Sequence, residues 1–153
     1  MSNAIRNFRT IHNNVFILAP IFIHFFKAIG PKPKSILLSY LVLPFVLPLA
    51  SRSSLVHSNV TSTIFSFLSK KEYIRGLVER LEYYRALTNH CLQYLIDMEM
   101  IRLSTDESII VLSDDIETRF SPRATPLAAK KFGTLLKPHD IPAVYRLMQI
   151  RKL

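Results

Sequence analysis

Apolar residues in the first third of the chain form two nearly continuous runs, Val15 to Ile29 and Ile36 to Leu47. A helix that is apolar on nearly all sides is typical of a buried core element or of a membrane span. A span needs about 20 apolar residues, and Pro20 and Lys27 interrupt the first run while the second is shorter still. The pattern therefore predicts two buried core helices and no membrane segment.

Polar and conformationally restricted residues mark where these two helices begin and end. Asn13 or Asn14 is suited to cap the first helix, and Ser35 to cap the second, because short polar side chains accept hydrogen bonds from free helical N–H groups. The Gly-Pro-Lys-Pro sequence at residues 30–33 predicts the end of the first helix, and Pro48 predicts the end of the second.

In the middle of the chain the apolar residues recur at helical spacing instead of in runs. A polar loop at residues 51–54 is expected to lead to a short helix near residues 61–68. The spacing then predicts a helix over 71–84 and, after a break at residues 85–89, a second helix that ends near Met98.

Two short runs rich in Ile, Val and Leu follow, and they predict β-strands at Met100–Leu103 and Ser108–Leu112. The polar residues 104–107 between them form the turn of a hairpin. Two adjacent helices followed by a hairpin are the order of elements in a winged helix. We therefore predict a winged-helix-like unit over residues 60–113.

The last third of the chain begins with a linker over residues 114–126, which contains two prolines. Two short helices are predicted after it, at Leu127–Leu136 and Ile141–Met148, separated by a Lys-Pro-His-Asp sequence.

These elements predict a mainly α protein with a small β-hairpin, an α+β fold. At 153 residues the chain is expected to be a single domain, 15–153, preceded by an N-terminal arm, 1–14. The domain would contain an apolar helical pair (15–49), the winged-helix-like unit, and C-terminal helices (127–150).

The net charge of +9 is distributed unevenly along the sequence. Residues 1–69 carry six basic and no acidic side chains, and residues 114–153 carry eight basic and four acidic ones. Residues 70–113 hold six basic against seven acidic side chains, so the winged-helix-like unit has a net charge of −1. The basic flanks suit an acidic partner, either nucleic acid or protein, while the unit's own charge is more typical of protein docking.

No residue pattern in the sequence is typical of catalysis or metal binding. The five histidines have no metal-ligand spacing among themselves or with Cys91, and His90 and Cys91 are interpreted as one surface and one core residue. Asp114, Asp115 and Glu117 are interpreted as a solvated linker. The sequence contains no phosphate-binding glycine loop and no nucleophile motif. We therefore expect no enzymatic activity and no cofactor, and the single cysteine suits a reducing cytoplasm.

A winged helix reads DNA through the first residues of its second helix, which enter the major groove. At that position the sequence presents Arg85, Thr88, Asn89, His90 and Gln93. Affinity for DNA comes largely from several Lys or Arg contacts to phosphates, and this helix offers only Arg85. Asp106 and Glu107 in the turn of the hairpin would repel phosphates. Sequence-specific DNA reading is therefore disfavoured.

The basic residues near the C-terminus are better candidates for contact with DNA or with an acidic partner. They are Lys130, Lys131, Lys137, Arg146, Arg151 and Lys152. The alternative interpretation is that these side chains form the solvated faces of two short helices.

Several separated segments resemble those of one protein family. Residues 13–20, running into 25–28, are similar to the opening helix of the small middle components of three-component ABC-ATPase (ABC-3C) systems. Residues 39–47 look like that family's apolar segment, and residues 128–136 and 144–152 look like its closing pattern. The order and spacing of these segments agree over most of the chain.

The resemblance implies an accessory subunit of a bacterial anti-phage and anti-plasmid defence complex of the Lamassu type. Such a subunit is expected to be non-catalytic and to bridge an SMC/Rad50-like ATPase, which senses DNA, and an effector that is often a nuclease. DNA would then be contacted mainly through the complex. Residues 15–47 and the closing helices are expected to pack together and to leave apolar surface for the ATPase.

Two other functions remain compatible with the sequence. A free-standing winged-helix transcription regulator would bind its own promoter with a steep dependence on salt. A peripheral or inserted membrane protein would use the apolar first third of the chain to contact lipid.

Overall fold

A computed structural model describes residues 13–113 and 124–151 of the protein. Most of the predicted N-terminal arm, the carboxylates Asp114, Asp115 and Glu117, and Lys152 lie outside the described residues. The helices are α1 (Val15–Ile29), α2 (Ser39–Val46), α3 (Leu49–Val56), α4 (Ile64–Leu68), α5 (Leu77–Asp97), α6 (Ala124–Leu136) and α7 (Ile141–Leu147), with 3-10 helices at Ser35–Leu38 and Lys71–Tyr73. The strands are β1 (Ile101–Leu103) and β2 (Ile109–Val111). The predicted fold class, mainly α with a small hairpin, is confirmed.

The first predicted helix is confirmed at both ends. The Asn14 side chain accepts a hydrogen bond of 2.9 Å from the Phe16 N–H at the start of α1. Gly30 ends the helix with φ +74°, a conformation that glycine adopts without a steric cost. Most of α1 from Leu18 onward is buried, as expected of a core helix.

Helices α1 and α6 pack in close contact at Gly133. A Cβ atom at this position would lie 2.7 Å from the backbone oxygen of Phe25 and 2.9 Å from the Ala28 Cβ atom. Neither distance leaves room for a methyl group, so the helices approach this closely only because position 133 has no side chain. The expected packing of the apolar first third against the closing helices is thereby confirmed.

Phe132, the neighbour of Gly133, lies at the centre of a cluster of aromatic rings. Its ring centroid is 5.8 Å from that of Phe25, 5.2 Å from that of Phe45 and 6.2 Å from that of Phe67. These rings come from α1, α2 and α4, and all four side chains are buried. The core is therefore centred on the face of α6 that packs against the N-terminal half of the chain.

The second predicted helix begins differently from the expectation. Lys34 has a left-handed backbone, with φ +61°, and a 3-10 helix precedes α2. The predicted capping role of Ser35 is wrong, because its buried hydroxyl oxygen accepts a 2.9 Å hydrogen bond from the Ile109 N–H of β2. The Ser35 hydroxyl thus bonds to a distant strand and not to the first turn of its own helix.

The predicted polar loop at residues 51–54 is also wrong, because these residues belong to α3. Pro48 ends the preceding helix as expected, and α3 begins immediately after it. The Ser51 hydroxyl donates to the backbone oxygen of Phe45 at 2.6 Å. That bond satisfies a polar group that the sequence alone suggested would face water.

The largest correction concerns α5, which runs without interruption from Leu77 to Asp97. The predicted break at residues 85–89 is wrong; this stretch contains Arg, Ala and Leu, which favour helices, and no Gly or Pro. The chain turns earlier instead, at Gly76 (φ +67°), after the short 3-10 helix at Lys71–Tyr73. The winged-helix assignment of residues 60–113 depended on that break and stays a prediction, as does the division into an arm and a single domain.

The predicted hairpin is confirmed. Strands β1 and β2 pair antiparallel, with Ile101 opposite Val111 and Leu103 opposite Ile109. The turn of the hairpin contacts the segment after α1: the Lys34 N–H donates to the backbone oxygen of Asp106 at 2.9 Å, and the Ile36 N–H to that of Glu107 at 3.2 Å. The hairpin turn is thus fastened to the rest of the fold through its backbone.

The C-terminal helices are confirmed with one shift. Helix α6 begins at Ala124, so Pro126 lies in its first turn and not in a linker. Proline is tolerated there because the N–H groups in the first turn of a helix have no acceptor within the helix. The N–H group that proline lacks is therefore not needed. The Asp140 side chain accepts a 2.7 Å hydrogen bond from the Ala143 N–H and caps α7.

In the parts of the chain that the structure describes, no single helix combines the length and the apolar character needed to cross a membrane. Ser35–Val46 and Leu49–Val56 meet that requirement only as a pair, and they are bent by 104° relative to each other.

The contact at Gly133 can be tested with Gly133→Val. The added side chain must displace the backbone of α1, and we expect the free energy of unfolding to fall by about 1–3 kcal/mol. The measurement is urea unfolding followed by far-UV circular dichroism. Thr134→Ala, an exposed change one residue away, should leave the midpoint nearly unchanged. Equal midpoints for Gly133→Val and the unmodified protein would contradict the close approach.

Candidate functional site

A groove of about 650 Å³ lies where the ends of α1 and α6 meet the start of α7. We call it the lysine groove. Its polar lining residues are Lys32, Lys34, Lys137, His139, Asp140 and Tyr145, and its apolar lining residues are Pro33, Leu37, Pro138, Ile141 and Pro142. Three lysines face a single carboxylate, so the groove combines an apolar lining with positive charge.

Lys32 fastens one wall of the groove to the other. Its ammonium group donates to the backbone oxygen of Lys137 at 2.8 Å and also to that of His139. These carbonyls follow the end of α6, where backbone oxygens have no partner within the helix. Burial lowers the pKa of Lys32, and the nearby Asp140 carboxylate opposes that shift. Lys32 therefore acts as a structural clip.

Tyr145 makes the second link across the groove. Its hydroxyl donates to the backbone oxygen of Leu37, which joins α7 to the 3-10 helix before α2. Burial raises the pKa of this hydroxyl, which favours its protonated form as a hydrogen-bond donor. With Lys32 and Tyr145 both bonded to backbone oxygens, the groove is a fixed feature of the fold.

Two further lysines lie at the rim and are exposed. Lys34 is held by the hydrogen bond from its own N–H to the hairpin turn, and Lys137 follows the last turn of α6. The apolar surface continues beyond the groove to Phe65 of α4, whose ring is 58% exposed and lies edge-on to the His139 ring, with 5.5 Å between centroids.

A smaller hollow of about 250 Å³ lies further along α1 and α6, lined by His24, Lys27, Ala28 and Lys130. Burial lowers the pKa of His24, and the charges of Lys27 and Lys130 lower it further. His24 is therefore neutral at pH 7. Lys130 is exposed on α6, and Lys137 follows the end of that helix.

The basic residues near the C-terminus lie in different parts of the structure. Lys130 lies at the small hollow and Lys137 at the lysine groove, while Arg146 and Arg151 are exposed elsewhere. Lys131 donates to the backbone oxygen of Ser58 at 2.7 Å and so ties α6 to the end of α3. These residues do not form one continuous basic patch.

The residues proposed to be presented by a recognition helix are mostly bonded within the protein. Arg85 forms a 2.9 Å ion pair with Glu82. Asn89 accepts a 2.8 Å hydrogen bond from the Tyr40 hydroxyl, and Gln93 donates to Asp97 at 2.8 Å. His90 is exposed, whereas Thr88 is buried and cannot face DNA.

One flank of α5 instead presents aromatic residues, of which Tyr83 and His90 are exposed and Tyr94 is half-buried. Tyr83, His90 and Tyr94 are spaced by seven and four residues, which places them on one side of the helix. Phe16 at the start of α1 packs edge-on against Tyr94, with 5.2 Å between ring centroids. Phe16 is 70% exposed and Tyr83 is 69% exposed. We call these four residues the aromatic flank.

Sequence reasoning missed Lys32, Lys34 and Tyr145. The two lysines lie in a segment whose glycine and prolines were interpreted only as a helix end, and Tyr145 was one residue among many in a short helix. Residues 32 and 137 are 105 positions apart, so no local spacing could indicate their contact.

Cys91 is the chain's single cysteine, and its thiol lies in the core. Burial raises its pKa to about 12, so it is a neutral thiol at physiological pH and a poor nucleophile. The neighbouring His90 is exposed, which confirms that one of the pair is a core residue and the other a surface residue.

The clip formed by Lys32 can be tested with Lys32→Met, which keeps the aliphatic stem but removes the ammonium group. Two backbone oxygens lose their donor, and we expect the free energy of unfolding to fall by about 1 kcal/mol in urea unfolding. Lys34→Met is the matched control, because in the described part of the chain no hydrogen bond of the Lys34 side chain is found. Equal losses for both variants would contradict the clip.

The burial of Cys91 predicts a dependence of stability on pH. In the unfolded chain the thiol ionises near pH 9.0, but in the folded protein only near 12. The unfolded chain therefore holds fewer protons between these values, and the free energy of unfolding falls as the pH rises from about 9 to about 12. Cys91→Ala should make this fall less steep in urea unfolding at several pH values. An unchanged slope would show that the thiol is not buried in this way.

A sequence model of one protein family matches residues 2–152 of the chain, and its description is "ABC-three component (ABC-3C) system Middle Component 3". Searches of curated proteins and of solved structures found no match. Because the family match covers nearly the whole sequence, the chain belongs to the middle component 3 family of ABC-three component systems.

Proposed function

We propose that this protein is a cytoplasmic, non-catalytic accessory subunit of a bacterial anti-phage and anti-plasmid defence complex of the Lamassu type. In this proposal it bridges an SMC/Rad50-like ATPase and an effector, which in such complexes is often a nuclease. The family match over residues 2–152 carries the proposal, since a middle component of an ABC-three component system has protein partners. The free thiol of Cys91 suits a reducing compartment.

The chemistry of the lysine groove supports a binding role. Its two best-placed polar groups, the Lys32 ammonium and the Tyr145 hydroxyl, are already bonded to backbone oxygens and hold the walls together. A general acid or base must be free to exchange a proton with a substrate. The groove's fixed, mostly apolar lining is better suited to a partner's side chains.

Bridging requires two surfaces, and the described residues offer two of different chemistry. The lysine groove is basic and concave, whereas the aromatic flank presents exposed rings. Exposed aromatic side chains such as Phe16 and Tyr83 are typical of the centres of protein interfaces, because they bury a large area with few rotatable bonds. We assign one partner to each surface.

The proposal gives DNA an indirect role through the ATPase. Arg85, Asn89 and Gln93 are bonded to other side chains of the protein, and the backbone of the hairpin turn is bonded to residues 34 and 36. A free-standing winged-helix regulator would have to break several of these bonds to reach bases and phosphates.

The bridging role can be tested by pull-down from cells that co-express the three components of the system. With an affinity tag on the ATPase, we expect the effector to be recovered only when this protein is present. Phe16→Asp with Tyr83→Asp should release one partner and retain the other, because carboxylates on the aromatic flank cannot be buried without a partner charge.

Val60→Asp with Thr61→Asp is a control of equal charge on an exposed turn, and it should retain both partners. Recovery of the effector with the ATPase in the absence of this protein would refute bridging. Binding of the isolated protein to its own promoter at low salt would favour the regulator instead.

A further inference from the structure

We propose that the lysine groove binds an acidic segment of a partner subunit, a short peptide with an apolar side chain flanked by carboxylates. The apolar side chain would pack against Leu37 and the prolines of the lining, and the carboxylates would pair with Lys34 and Lys137. This inference rests on the proposed function, since it names the kind of partner segment that one docking surface receives.

The apolar residues of the lining indicate that the ligand has an apolar side chain. Pro33, Pro138 and Pro142 present carbon atoms that cannot be turned away from the groove, because proline rings are fixed to the backbone. Leu37 contributes to the same surface, and Phe65 extends it beyond His139. Covering this surface removes apolar area from water, which favours an apolar side chain in the groove.

The exposed lysines at the rim indicate the charge of the ligand. Lys34 and Lys137 both line the groove and are both exposed, one in the segment after α1 and the other after α6. Asp140 is the one carboxylate of the lining, and one of its oxygens already accepts the Ala143 N–H. The rim therefore keeps an excess of positive charge that carboxylates of a ligand would complement.

The combination favours a peptide over a nucleic acid. A DNA duplex presents phosphates but no apolar side chain that could fill a concave, proline-lined groove, and the apolar lining would stay exposed to water. The walls are tied by Lys32 and Tyr145, so a peptide would bind a surface that is already in place. Such preorganisation reduces the entropy lost on binding.

The first experiment identifies the ligand by photo-crosslinking in the assembled complex of the full chain with the ATPase and the effector. p-Benzoyl-phenylalanine replaces Pro142, an exposed residue of the lining. We expect a crosslink to one component, at a peptide in which acidic residues flank an apolar one. The same probe at Val60, on an exposed turn outside the lining, should not yield this peptide. No crosslink at position 142, or one to a peptide without acidic residues, overturns the proposal.

The second experiment measures how much the charges of Lys34 and Lys137 contribute to binding of the partner. Lys34→Glu with Lys137→Glu should weaken binding of the crosslinked component by about tenfold or more, with most of the loss in the dissociation rate. Lys71→Glu with Arg75→Glu is a control of equal charge change on exposed residues that do not line the groove, and it should bind normally. Thermal unfolding shows whether both double variants are folded.

Binding of a fluorescent DNA duplex tests the alternative that the groove binds nucleic acid. Loss of duplex binding in the groove variant, with binding of the component unchanged, would assign the groove to nucleic acid and overturn the proposal. If the unmodified protein assembles with neither component, the proposed function itself fails. If it assembles and the groove variant binds as tightly as the control, only the assignment of the groove fails.

Discussion

The contact between α1 and α6 at Gly133 is the constraint on which the other features of the fold depend. With no side chain at this position, the Phe25 carbonyl approaches α6 to a distance that a methyl group would prevent. The preceding residue, Phe132, then contacts rings from three other helices. A helix from the start of the chain and one from its end are thus brought together, and the residues between them are arranged around that contact.

The lysine groove is a consequence of this helix pair. Because α1 and α6 run side by side, the segment that follows α1 lies next to the carbonyls that follow α6. Lys32 satisfies those carbonyls, and Tyr145 fastens α7 to the segment that follows. The hairpin turn is hydrogen-bonded to Lys34 in the same region. Three distant parts of the sequence therefore meet around one groove.

The distribution of charge fits a protein that assembles with other proteins. The middle of the chain, which the sequence predicted to be a winged-helix-like unit, has a net charge of −1. Its polar residues on α5 pair with one another and with Tyr40. Positive charge collects instead on the flanks, where lysines border apolar surface. A middle component that contacts acidic segments of its partners would use such flanks, and DNA would be sensed by another subunit.

The sequence by itself determined the ends of α1, the hairpin and the two C-terminal helices. These features depend on local chemistry: Asn14 as a cap, Gly30 as a stop, and strands rich in Ile and Val. It also determined the family, because the order of apolar segments extends over most of the chain. The predictions for Ser35, Ser51 and residues 85–89 were wrong. Their polar groups had indicated a helix cap, a loop and a break between two helices. Only the tertiary structure decided the role of Ser35 and the groove, because their partners lie on other elements, 74 and 105 positions away along the chain. Ser51 bonds to Phe45, which is only six positions away, and residues 85–89 continue a helix that their own composition favours.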